Sequence, residues 1–411
     1  MGADKVVVVG GGGAGDAVAF ALRKNGFEGE VTILSADLDR PYDRPYLSKE
    51  FMRGEIELPQ IYLHEESAYA EQELDLRLDQ RVTGGSLAER RLTLDGAADV
   101  AFDTLVLATG GTPRRLPGVP AAENVFTLRS RRDSQAIHDA VVAGSRLLLV
   151  GAGFIGAEVA ASARALGRDV LIVEAARVPL SRALGEEVGE VYAEIHRSHG
   201  VDVRTGTTID TWHSQGDRVV GVTLSDGRRE EVSTVLLGVG IDPNLELARA
   251  LRLPTGDGGV RVDSGLRAAD GIYCAGDIAL HPHPVLGREL RVEHWEVAKG
   301  HGRAVGRAIA RGDRPYSALP YFWSDQYDVS LEYRGQGSGE DRLVWRGDRE
   351  ARQFSVFYLH EGLVDGVLSV NDSDTNEAGG KLIAARRPID AALLADSATD
   401  LAEFAARPGE E

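Results

Sequence analysis

Polarity along this chain changes in blocks. Short runs of uninterrupted apolar residues separate longer helix-type stretches of mixed character. Val6-Val7-Val8-Val9 and Leu147-Leu148-Leu149-Val150 are the clearest runs. Runs of this length without alternation read as strands buried on both faces, the signature of a parallel sheet. Both pass directly into glycine, as Gly10-Gly11-Gly12-Gly13-Ala14-Gly15 and Gly151-Ala152-Gly153-Phe154-Ile155-Gly156. Helix-type sequence follows each, and then a second β-type run, Val31-Thr32-Ile33-Leu34 or Val170-Leu171-Ile172-Val173, leading to an acidic residue. Strand, glycine turn, helix, strand and acid in this order form the full dinucleotide-binding pattern. Its glycines allow a tight turn, close approach to a pyrophosphate and close helix–strand contact. The helix N-terminus turns free N–H groups and a positive dipole end toward the phosphates. Two such units predict two bound dinucleotides.

The two units also end alike. Phe102 to Gly111 and Val235 to Asn244 each read as a buried strand running into a glycine turn. A Pro/Gly stretch from Pro113 to Pro120 reads as a linker. Beyond Asn244 come a helix-like run, a strand ending in Gly276-Asp277, and a helix over Val292 to Arg311 with alanine and glycine spaced for close packing. From about Leu319, β-type runs (Val329 to Tyr333, Arg342 to Trp345, Gln353 to Leu359) alternate with glycine or charged turns, then give way to helices and a polar end, Arg407 to Glu411, expected to fray. The expected fold is α/β: two Rossmann-like dinucleotide-binding domains and a C-terminal α+β domain. The expected domains are 1–114 with 245–318 (discontinuous), 115–244, and 319–411.

Composition narrows the chemistry. A chain of 411 residues has room for two or three domains. Met1 to Lys5 lead straight into the first strand and no apolar run approaches a membrane span, so a cytoplasmic protein is expected. A net charge of −18 argues against nucleic acid and anionic membranes as partners. An acidic protein partner would need a local basic patch, and the arginine clusters (Arg129, Arg131, Arg132; Arg303, Arg307, Arg311, Arg314; Arg386, Arg387) read first as solvated faces. Cys274 is the single cysteine, which excludes a cysteine-pair redox centre and a cysteine-ligated cluster within one chain. It reads as a small buried hydrophobe. His294 and His301 have no partners at metal-ligand spacing, and no metal is expected.

The acid after the second strand of each unit is placed for a ribose hydroxyl. In the second unit this is Glu174, whose charge favours NADH over NADPH; in the first it is Asp37. The segment after Asp37 reads Arg40-Pro41-Tyr42-Asp43-Arg44-Pro45-Tyr46-Leu47-Ser48-Lys49. Its prolines are expected to hold the backbone extended, with Ser48 capping the following helix. This segment resembles the Arg-Pro-Pro-Leu-Ser-Lys motif of the FAD-dependent, NAD(P)H-using ferredoxin reductases of bacterial oxygenase systems, relatives of the glutathione-reductase fold. The resemblance continues through Leu107 to Gly110, Leu128 to Ser130, Gly153 to Glu158, Ile272 to Asp277, Val292 to Trp295, and Tyr321 to Tyr327.

The resemblance implies FAD in the first unit and NADH in the second. It assigns Gly10, Gly12, Gly13, Ala14 and Gly15 to the FAD pyrophosphate, Asp37 to the adenosine ribose, and Val82 to the adenine. Ala108, Thr109, Gly110 and Arg129 would support the cofactor. Gly276 and Asp277, at a helix N-terminus, would hold its ribityl–phosphate portion. Glu293, His294 and Trp295 would border it, with Trp295 beside the isoalloxazine. Arg44 and Lys49 would contact the flavin side, Lys49 near N5 and paired with Glu158; Lys49, Glu158 and Trp295 are the residues expected to tune catalysis. Gly151, Gly153, Phe154, Ile155, Gly156, Glu158 and Glu174 would hold NADH, and Gly238-Val239-Gly240 would border its nicotinamide. The implied partner is a small iron–sulfur protein, a ferredoxin or a rubredoxin, and the chain is expected as a monomer or homodimer. The sequence departs from the motif at Tyr46, at Ala36 where a carboxylate is expected, and at His301 where glutamine is expected. Two rival readings are a partner-free NADH oxidase or diaphorase, and an NADH-responsive regulatory flavoprotein similar to apoptosis-inducing factor.

Overall fold

The computed structural model describes residues 4–312, 314–338 and 340–406; Met1 to Ala3 and the polar end Arg407 to Glu411 lie outside them. Its contacts divide the chain into two compact units. One comprises the chain up to Asp43, Tyr62–Thr112 and Asp242–Phe322; the other comprises Arg44–Ile61, Pro113–Ile241 and the chain from Trp323 onward.

The first unit is built on a six-stranded sheet ordered Arg267–Ala269, Ile272–Cys274, Thr104–Leu107, Lys5–Val9, Glu30–Leu34, Leu74–Arg77. All pairings are parallel except that of Arg267–Ala269 with Ile272–Cys274. Val6 to Val9 are buried, as two-sided coverage of a central strand requires. The helices Gly13–Lys24 and Trp295–Arg311 pack together. A Cβ at Gly302 would lie 2.3 Å from the Ala14 carbonyl oxygen, and one at Gly306 would lie 2.6 Å from that of Val18. The small residues seen in the sequence therefore set this close approach. The helix begins at Trp295, so Val292, Glu293 and His294 precede it rather than forming its first turn. The helix that carries Asp277 in its first turn is a single 3-10 turn, Gly276–Ile278, which leads at once into the strand Ala279–His283.

The second unit repeats the design with a five-stranded parallel sheet ordered Asp202–Thr205, Asp169–Glu174, Arg146–Val150, Thr234–Leu237, Val125–Phe126. The C-terminal sheet places Val329–Gly335, Leu363–Val370, Gln353–His360 and Arg342–Asp348 side by side and antiparallel, with the helix Ser373–Ala385 against it. The Tyr358 hydroxyl donates to the Leu184 carbonyl at 2.8 Å, which ties this sheet to the short helix Ser181–Leu184 that follows the strand Asp169–Glu174. The excursion Arg44–Ile61 is bound into the same unit through its backbone. The Ser134 and Ser162 hydroxyls donate to the carbonyls of Leu47 and Ser48, both at 2.7 Å, and His138 reaches that of Met52 at 2.6 Å. Arg44–Ser48 is a 3-10 helix, not the extended segment expected from its prolines. Proline's fixed φ suits a first helical turn equally well, and packing selects that option. Among the described residues no helix is long and apolar enough to cross a membrane.

Candidate active site

The two fingerprints adopt the same local geometry for the same steric reason. Gly10 has φ +123°, and a Cβ there would fall 2.1 Å from the Ala108 carbonyl oxygen; Gly151 has φ +95°, and its Cβ would fall 2.6 Å from that of Gly238. Ala108 and Gly238 therefore hold equivalent places, each at the end of the strand beside the turn. One turn later, a Cβ on Gly15 would lie 1.9 Å from Gly10 O, and one on Gly156 would lie 2.4 Å from Gly151 O. The helices Gly13–Lys24 and Phe154–Ala165 start from extended Gly12 and Gly153, and no side chain caps either. A helix start left uncapped at the C-terminal edge of a parallel sheet is a site for an anion.

The acids differ between the units. Val150 is in register with Val173, and Val9 with Leu34, so the first-unit counterpart of Glu174 is Ser35. Glu174 Oε2 accepts from the Ala152 N–H at 2.6 Å and Oε1 from the Ala176 N–H at 2.7 Å. These two bonds fix the carboxylate against the fingerprint turn. Asp37 lies two residues beyond Ser35, whose hydroxyl oxygen accepts from the Asp37 N–H at 3.2 Å. The Asp37 carboxylate accepts from Tyr42 Oη at 2.9 Å and from the Asp39 N–H at 3.2 Å. Ala36 is exposed.

The other expected residues of the first unit are each fixed by contacts of their own. Trp295 lies against the fingerprint: a Cβ on Gly13 would be 2.6 Å from the indole. The indole Nε1 is buried without a hydrogen-bond partner. Thr109 is held by Asn244, a residue not anticipated, through Thr109 Oγ1 to Asn244 O at 2.7 Å and Asn244 Nδ2 to Thr109 O at 3.0 Å. Glu293 pairs with Arg291 at 2.5 Å, and Arg291 also donates to the Asp277 carbonyl at 3.1 Å. The His294 ring stacks on Phe322 with 4.1 Å between centroids, and burial pushes its pKa down to about 4. Val82 opens the strand Val82–Ser86, where it is half-buried.

In the second unit Lys49 and Glu158 meet in the interior, 5 % and 6 % exposed, with Nζ 3.7 Å from Oε1. Glu158 has two further partners. Ser48 Oγ donates to Oε2 at 2.5 Å, and Ser324 Oγ donates to Oε1 at 2.7 Å. Ser48 therefore binds this carboxylate and does not cap a helix; the helix Glu50–Arg53 has Lys49 at its N-cap and no side-chain cap. Lys49 Nζ also stands 5.7 Å from the centre of the Trp323 ring. Burial raises the Glu158 carboxyl above the usual range, opposed by the Lys49 charge and the two hydroxyls. Ser324 escaped the sequence reading, yet it occupies the inward phase of the strand Tyr321–Gln326, where Phe322, Ser324 and Gln326 are all buried. A serine in that phase is a sign of a buried polar partner. Arg129 precedes the capping box Ser130–Asp133, its N–H donating to Asp133 at 3.0 Å, and Arg44 opens the 3-10 helix. Cys274 is fully buried with its thiol pKa pushed up by burial, so it is no nucleophile.

A pyridine nucleotide-disulphide oxidoreductase family model matches residues 4–302, and a reductase C-terminal model matches 321–405. The chain belongs to the pyridine nucleotide-disulphide oxidoreductase family, and within it to the ferredoxin reductases that its motifs resemble; it is an oxidoreductase of the flavin- and pyridine-nucleotide-dependent kind. It is 36 % identical over 98 % of both chains to a 5,5'-dehydrodivanillate O-demethylase ferredoxin reductase subunit of Sphingobium sp.. It is 35 % identical to putidaredoxin reductase of Pseudomonas putida, over 98 % of this chain and 97 % of that one. Among solved structures it superposes on the covalent putidaredoxin reductase–putidaredoxin complex with a TM-score of 0.94 at 34 % identity, covering 98 % of each chain.

Proposed function

We propose that this chain is the reductase of an oxygenase electron-transfer system, taking hydride from NADH onto FAD and delivering single electrons to a small ferredoxin in the cytoplasm. The observation that carries this reading is the pair of uncapped fingerprint helices of matching geometry, in a chain similar over its whole length to reductases of that kind.

The first unit fits FAD. The backbone N–H groups of Gly12, Gly13, Ala14 and Gly15 suit its pyrophosphate, Asp37 a ribose hydroxyl, and Asp277 the ribityl chain, with Ala108, Thr109 and Gly110 lining the turn. The unpartnered Trp295 Nε1 beside Gly13 is a donor in want of an acceptor, which a cofactor oxygen supplies. Bound flavin supplies the exchange between a two-electron donor and a one-electron acceptor. In the second unit, Gly151 to Gly156 and Glu174 suit NADH, with Gly238 and Gly240 on the nicotinamide side. Lys49 and Glu158 form one neutral pair whose geometry the two serine hydroxyls hold.

The test is direct. The purified protein should be yellow, NADH should bleach it within the turnover time, and cytochrome c reduction should require an added ferredoxin. Rapid reoxidation by air without a carrier would favour the oxidase reading instead.

Specificity for NADH rests on Glu174. With both oxygens tied to backbone N–H groups it cannot swing away, so its charge confronts any 2′-phosphate. Arg177 is a weak counterweight, exposed and 3.7 Å from Glu186. The expected kcat/KM for NADH exceeds that for NADPH by at least about tenfold, and Glu174→Gln narrows the ratio by roughly tenfold, equivalent to about 1.4 kcal/mol. An unchanged ratio would remove Glu174 from that role.

The acceptor side has its own signature. Lys299, Arg303, Arg307 and Arg311 follow Trp295 at four-residue intervals in a row that winds slowly round the helix Trp295–Arg311, and the three arginines are exposed. A basic stripe on a chain of charge −18 suits an acidic iron–sulfur protein. The double variant Arg303→Glu/Arg307→Glu is expected to raise KM for the ferredoxin more than about tenfold at low salt, with the effect shrinking as salt screens it. A KM unmoved at low salt would place the docking face elsewhere.

A further inference from the structure

His301 stands where the reductase motif leads one to expect glutamine, and it is fully buried on the helix Trp295–Arg311. Its Nδ1 accepts from the Gly276 N–H at 3.3 Å, so the proton of the neutral ring belongs on Nε2, which has no partner. The ring is held edge-on by Tyr316, 4.6 Å between centroids at 89°, and by His281, 4.9 Å at 89°. His281 is itself flanked by His283, 5.8 Å away, whose ring bonds to the Ala318 carbonyl and to the Leu286 N–H. All three imidazoles are at most 1 % exposed.

The bond to Gly276 is placed where it matters. Gly276 has φ +75°, and a Cβ there would meet Ala14 of the fingerprint helix at 3.2 Å and Ala298 at 3.6 Å. The turn is thus caught between two helices, and its N–H is directed by His301. Asp277, the next residue, is the group suited to the ribityl chain of FAD.

We propose that His301 is a positioning residue for the flavin: as a neutral acceptor it fixes, through the Gly276 amide, the turn that carries Asp277. This rests on the reading that the first unit holds FAD. Burial, with His281 and His283 as like-charged neighbours on protonation, keeps His301 well below the usual histidine range, so the acceptor persists wherever the enzyme works. Glutamine would offer an amide oxygen to the same N–H; an aliphatic side chain of similar size would offer nothing.

The experiment is FAD binding to apoprotein, followed by quenching of flavin fluorescence, with far-UV circular dichroism as the check on folding. His301→Leu is expected to weaken FAD binding about tenfold, and His301→Gln to stay within about twofold of the unaltered chain. His301→Met replaces the leucine variant if that one does not fold. Because His301 acts through the turn, His301→Leu should add little to the loss already caused by Asp277→Ala. Wild-type affinity in His301→Leu and His301→Met, full additivity with Asp277→Ala, or failure of His301→Gln to restore binding would overturn the proposal. An unaltered chain that binds no FAD would overturn the reading beneath it, and that outcome is separately visible.

Discussion

Gly15→Ala should give a protein that loses its flavin colour on purification, and Gly156→Ala a yellow one whose KM for NADH is raised roughly a hundredfold. The added methyl of the first would sit 1.9 Å from Gly10 O, and that of the second 2.4 Å from Gly151 O. Neither obstacle is a flexible side-chain end; each is backbone of the turn itself. Relief requires the helix start to move off the turn, which takes its N–H groups away from a pyrophosphate. A shift of about 1 Å in donors that act together is enough to lose roughly a hundredfold in affinity, or about 2.7 kcal/mol. The readouts are the flavin absorbance of the purified protein and the KM for NADH. The pair is informative because its members differ only in which unit they strike. If Gly156→Ala were the colourless one, the two nucleotides would be exchanged between units; if both bound both nucleotides normally, the fingerprints would not be the binding turns.

Glu158→Leu should lower the stability of the second unit by about 3–5 kcal/mol, the usual cost of leaving one member of a buried ion pair without the other. Lys49 is 5 % exposed, and its remaining neighbour, the Trp323 ring, offers only a weak attraction at 5.7 Å. The hydroxyls of Ser48 and Ser324 lose their acceptor at the same time. In urea unfolding this appears as a lower midpoint for the transition that carries the second unit's signal. Lys49→Met/Glu158→Leu should recover most of that loss, since an apolar pair of similar volume has no charge to solvate. A single variant as stable as the unaltered chain would mean that water reaches Lys49 and that the pair carries no structural weight.

The legible part of the site is the contiguous part. Strand, turn and helix of each fingerprint follow one another without interruption, over Lys5 to Lys24 and Arg146 to Ala165, so glycine spacing alone specifies where a Cβ cannot be. The excursion Arg44–Ile61 was legible as a motif but not as a shape. Proline's φ fits both an extended segment and a 3-10 turn, and hydrogen bonds from Ser134, Ser162 and His138 select the turn. Asn244, which holds Thr109 from 135 residues away, carried no local sign of that role. Ser324 left a faint one, a polar side chain in the buried phase of a strand.

Read on its own, the chain of residues determined that two nucleotide turns exist, that no sulfur relay joins them, and that a different kind of domain follows. These depend on neighbours in sequence or on a residue type being absent. Tertiary structure alone decided that Ser35, not Asp37, stands level with Glu174, because strand register is a relation between segments. It alone brought two serines onto one buried carboxylate across 110 and 166 residues, and turned His301 toward Gly276. A buried polar atom must find its partner wherever packing puts one, and the order of residues along the chain does not record that choice.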